Sequence, residues 1–146
     1  MNWETVTVII DMKAMLHRVV DEVFDETFAV THIISEVDPW LHCVQVRSRS
    51  GIVRAARIRA SYEWMDAFIP ELEVGTSLFD YDDVEDEKEV ELRRLCLVIR
   101  AYLEGEGHIE KRRRIFGLGT TSTLRIEVDG FKWDLGRSWS SGPYPA

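Results

Sequence analysis

The residues that could do chemistry are four histidines, two cysteines and a dense run of carboxylates, "DYDDVEDEKEVE" at positions 80–91. Clustered carboxylates suit hard cations such as calcium. If Asp80 were the first ligand of a calcium loop, Asp82 would be the third and Glu91 the twelfth. The fifth position, however, is Val84 and the sixth Glu85, where such a loop needs an oxygen ligand and a glycine. An EF-hand is excluded, and no metal ligand is assigned. Acidic residues also favour the first turn of a helix through its dipole, which accounts for Glu85 to Glu89 without a ligand.

Histidine titrates near neutral pH and is the commonest general base and metal ligand. His17 lies beside the apolar stripe of a helix with Asp21 one turn later, His32 sits within a strand, His42 precedes Cys43, and His108 follows two glycines. The HExxH metal motif is absent. Cys43 and Cys96 form no CxxC pair, and their apolar surroundings read as buried free thiols in a reducing compartment. The "GLGTTST" run at 117–123 lacks the Lys-Ser/Thr of a P-loop and precedes a strand; no GxSxG elbow occurs either. No catalytic residue and no cofactor is therefore assigned. An enzyme would need His32 to converge in space with Cys43 or Glu36.

The charges are unevenly distributed. Residues 43–60 hold five arginines and no acid, whereas residues 61–91 hold twelve acids and one lysine, Lys88. Arg57 and Arg59 share one strand face, as do Arg47 and Arg49. With a formal charge of −8, the chain repels nucleic acid and anionic membranes. The arginines, including the "KRRR" run at 111–114, also lack interleaved aromatics for stacking on bases. Two outcomes are open: the acidic stretch covers the basic strands, or it stays uncovered and attracts a basic partner. The second suits a small acidic protein that neutralises a basic toxin or enzyme, as immunity proteins and inhibitors do. Its contact residues would be Asp80, Asp82, Asp83, Glu85, Asp86 and Glu87, with Trp64 and Tyr81 as aromatic anchors. The alternative is a small-ligand or regulatory domain with a pocket between sheet and helices; an enzyme built on the His/Cys/Glu set comes third.

These residues need a scaffold. Apolar content of 45% and charged content of 30% indicate a folded domain, assigned to 1–136 with a flexible tail at 137–146. No apolar run approaches the roughly 18–20 residues of a membrane span, and "MNWETVTVIID" lacks the pattern of a secretory signal, so the cytoplasm is expected. Asp11 caps a helix over about 12–26, with Met12, Met15, Leu16, Val19, Val20 and Val23 on one stripe. A second helix, about 84–104, carries Leu92, Leu95, Cys96, Ile99, Tyr102 and Leu103, and "EGEG" at 104–107 stops it. Alternating runs at 4–10, 28–36, 41–47, 52–60, 109–116, 122–128 and 131–136 read as strands. Residues 61–83 read as a long excursion with a short helix in "SYEWMDAF". Asp129-Gly130 is a two-residue hairpin turn that sets Val128 against Phe131, Ile126 against Trp133 and Leu124 against Leu135. The fold class is α+β, a mostly antiparallel sheet packed on two amphipathic helices.

Overall fold

The structure, a computed structural model, describes residues 9–34, 39–49, 51, 53–113, 117, 119–137 and 143–145. It is an α+β fold in which helices α1 (Met12–Val23) and α2 (Glu85–Leu103) pack on antiparallel sheets. The first sheet is a meander in simple order: β1 (Phe28–Ile34), β2 (His42–Ser48), β3 (Ala55–Ala60), β4 (Trp64–Ile69) and β5 (Val74–Phe79). The second comprises β6 (His108–Arg113), β7 (Thr120–Val128), β8 (Phe131–Leu135) and the two-residue β9 (Tyr144–Pro145).

Both helices obey their sequence signals. The Asp11 carboxylate accepts the Ala14 N–H at 3.0 Å, and all six stripe residues of α1 are buried. The helix stops three residues before the expected 26. Phe24 is extended, and the Asp25 carboxylate accepts the Thr27 N–H and hydroxyl at 2.9 and 2.5 Å, a local turn that competes with further helix. At the end of α2, the Gly105 N–H reaches the Tyr102 carbonyl and the Glu106 N–H that of Ala101, both at 3.0 Å. This paired closure needs a left-handed residue, supplied by Gly105 at φ +94°.

The excursion expected at 61–83 is instead the β4–β5 hairpin. Its turn is Pro70–Glu73, with Glu73 in the left-handed region at φ 55°. Met65, Ala67 and Ile69 point to the helices, while Trp64, Asp66 and Phe68 point away. Apolar residues on both faces erase the alternation that marks a strand, and Gly75 stands inside β5 instead of at a turn. Gly75 pairs with Gly136, stitching the first sheet to the end of β8.

The Asp129-Gly130 hairpin has the expected register on both faces, with Arg125 opposite Asp134 and Glu127 opposite Lys132. Both turn residues have positive φ, 52° and 81°, as this turn requires. Leu124, Ile126, Trp133 and Leu135 are buried. Residues 1–8, which carry most of the strand expected at 4–10, and residues 35–38 and 114–116, which end two others, lie outside the described residues. Within 137–146, Tyr144 and Pro145 pair with Lys132 and Phe131.

The helix-facing side of the first sheet is filled. Val44, Val46, Ile58, Ala67 and Ile69 pack with Leu16, Val19, Val20, Leu92, Leu95 and Ile99, all without solvent exposure. The space where a ligand pocket between sheet and helices would lie is core. Cavities of about 340 and 300 Å³ open elsewhere, the first between the β4–β5 turn and β6–β7, the second beside the end of α2. No described helix is long and apolar enough to cross a membrane.

Candidate functional site

The acidic residues converge on the junction between β5 and α2, where the organiser is Lys88. This lysine sits one turn into α2 and is fully buried. Burying an ammonium is costly unless it is paired and hydrogen-bonded. Lys88 donates from Nζ to the Asp80 carbonyl at 2.7 Å, lies 3.5 Å from the Asp80 carboxylate, and sits 5.1 Å from the centre of the Tyr62 ring. The chain between Asp80 and the helix is thereby tied to the helix itself. Tyr62 adds a second tie, its hydroxyl donating to the Asp83 carboxylate at 2.6 Å; that bond pushes the phenol pKa up. Asp80 also accepts the Asp82 N–H at 3.0 Å.

Among the expected contact residues, Asp80 and Asp83 are thus engaged in holding the junction. The side chains of Asp82, Glu85, Asp86 and Glu87 are exposed and make no hydrogen bond or ion pair among the described residues. Further along α2 the acids are paired. Glu89 accepts from Arg18 of α1 at 2.9 Å, and Glu91 from Arg94 at 3.3 Å. Burial pushes the Glu91 carboxyl up, with Arg94 opposing and Asp80 reinforcing the shift. Carboxylate oxygens of Asp80, Asp82 and Glu87 lie within 4.8 Å of one another, a spacing a hard cation could use. Lys88 already supplies a positive charge beside Asp80.

Tyr81 projects from the same junction, 69% exposed, stacked on Phe79, which is 65% exposed; the ring centres are 6.2 Å apart and the planes 15° from parallel. Phe79 pairs across the strands with Trp64. Trp64 itself is half-buried, with the Arg59 guanidinium 5.2 Å from its ring centre. The two expected anchors are therefore joined through Phe79. Phe79 falls in the stretch expected as an excursion with aromatics beside its acids; its place at the end of β5, opposite Trp64, is what the sequence did not show.

The acidic stretch does not lie over the basic strands as a whole. One carboxylate, Asp66 on β4, does so and accepts two hydrogen bonds from Arg59, at 2.9 and 2.5 Å, while being almost fully buried. That pairing is what holds the Arg59 guanidinium pKa up. Arg54 and Arg49 instead donate to backbone carbonyls, of Tyr102 at 2.9 Å and Phe28 at 3.1 Å. Arg47 and Arg57 share one face with Gln45 between them, and the same face brings Phe68 opposite Arg57. Strand register thus sets aromatics beside arginines that sequence order keeps apart.

No known protein family, curated protein or solved structure matches this chain.

A thiol–imidazole centre does not form. On β2, Cys43 pairs with Ile33 and Arg59 on the outer face, whereas His32 is opposite Val44 and points to the helix side. Glu36 lies outside the described residues. Cys43 is half-buried and not fully enclosed, Cys96 is fully buried, and both are free thiols. Burial pushes both thiols up, Cys96 far more strongly, which disfavours the nucleophilic thiolate.

Proposed function

We propose that this chain is a protein-binding domain whose β5–α2 junction captures a basic protein, in the manner of an immunity or inhibitor protein. The observation that carries the reading is the exposed Phe79–Tyr81 stack bordered by unpaired Asp82, Glu85, Asp86 and Glu87. Aromatic anchors beside uncompensated charge are the composition of an interface hot spot with a steering rim. Exposed aromatic area gains little in water and much when a partner covers it. The buried Lys88 and the Tyr62–Asp83 bond hold the carboxylates in place before a partner arrives, which reduces the ordering cost of binding.

The test is affinity capture from cells that make the protein, with wild type beside two variants. One is D82K/E85K/D86K/E87K, the other F79A/Y81A; circular dichroism checks that both fold. A basic protein retained by wild type and lost from both variants supports the reading. Partners retained equally by all three proteins, or none retained by wild type, overturn it.

A further inference from the structure

Away from the acidic junction, the cavity of about 340 Å³ between the β4–β5 turn and the β6–β7 pair follows from strand parity. On the helix-facing side of β7, Ile126 and Leu124 are buried in the core, and the next two residues of that face are Ser122 and Thr120. Register sets Ile109 opposite Leu124 and Lys111 opposite Ser122. One sheet face thus passes from core to a wall of hydroxyls and an ammonium, and this wall lines the cavity. The turn contributes Glu71 and Glu73, and Arg137, just past β8, brings a second cation. None of Glu71, Glu73, Lys111 and Arg137 makes a hydrogen bond or ion pair among the described residues. We propose that this cavity binds a free α-amino acid, its ammonium group paired with Glu71 and Glu73 and its carboxylate with Lys111 and Arg137.

The charge balance selects the ligand class. A simple anion is repelled by the two carboxylates, and a simple cation by the lysine and the arginine. A zwitterion satisfies both sets at once. The lining hydroxyls of Thr120, Thr121 and Ser122 suit a polar side chain beyond the two charges. The volume lies near the lower end of the roughly 300–1,000 Å³ of small-molecule sites, which fits an amino acid and not a large cofactor. Glu73 supplies a second, independent observation. It holds φ 55°, a left-handed position that glycine or asparagine occupies at lower cost. The turn closes through the Glu73 N–H and the Pro70 carbonyl at 3.2 Å, a backbone bond that needs no carboxylate. A glutamate at a strained position, its side chain unused by the fold, is available to a ligand.

The probes are L-glutamine and L-serine, whose neutral polar side chains leave the two backbone charges to act. Binding is followed by amide shifts in two-dimensional NMR, up to about 10 mM probe. Each probe is compared with its N-acetyl form, which lacks the ammonium, and its amide form, which lacks the carboxylate. The expected result is saturable shifts centred on residues 71–73 and 120–122, with both blocked forms at least about tenfold weaker. K111Q is expected to weaken the amino acid at least about fivefold. So is E73G, whose glycine suits the left-handed turn and leaves the circular dichroism unchanged. No shift with either probe, blocked forms that bind as well as their parents, or binding unchanged in K111Q or E73G overturns the site.

Discussion

Lys88 shows how far one residue can decide the use of its neighbours. In sequence it is the one lysine among the twelve acids of residues 61–91. In the fold it is fully buried and satisfied by Asp80 and the Tyr62 ring. Removing one partner of a buried ion pair leaves the other uncompensated, so K88M is expected to destabilise the chain by about 3 kcal/mol in urea unfolding. The same substitution is expected to speed amide exchange across residues 80–84. Glu91 gives the pH dependence at this scale. Its folded pKa is raised above the ordinary value of about 4.3, so it contributes stability below that value, which is lost as pH rises through the folded pKa. In E91Q that loss is absent. Its stability relative to wild type is therefore expected to increase from about pH 4 to about pH 7, read from urea midpoints at each pH. A constant difference across that range would contradict the burial argument.

At the scale of elements, legibility tracks how cleanly one face differs from the other. The β7–β8 hairpin was readable to the residue pair because its apolar ladder and its charge ladder fall on opposite faces around Asp129-Gly130. G130V forces a β-branched residue to φ 81° and is expected to cost about 1–2 kcal/mol, measured as a lowered melting temperature. The start of α1 at Asp11 and the end of α2 at Gly105 were plain from their chemical stops, whereas the end of α1 was not, because the local Asp25–Thr27 turn ends it early. The β4–β5 hairpin was not, because Trp64 and Phe68 set apolar residues on the outer face as well as Met65, Ala67 and Ile69 on the inner one. Asp66 shares that outer face, and its burial depends on the partner Arg59, seven residues earlier. Glu73 adds to the difficulty, because a left-handed turn position is usually signalled by glycine or asparagine.

Across the whole molecule, the segregation of charge seen in sequence has two outcomes. Part of it is internal pairing: Asp66 with Arg59 across β3 and β4, and Glu89 with Arg18 between the helices. The remainder is collected at the β5–α2 junction, where Asp82, Glu85, Asp86 and Glu87 surround the Phe79–Tyr81 stack. Net charge of −8 then acts over the whole surface to favour encounter with a cationic protein. The central claim is that this junction steers and anchors a basic partner. The most direct measurement is the association rate of the captured partner by stopped flow, for wild type and D82K/E85K/D86K/E87K, from about 20 to about 200 mM salt. The account predicts a wild-type rate that falls about tenfold or more over that range, and a slower, nearly salt-independent rate for the variant. Equal rates and equal salt dependence for the two proteins would contradict it.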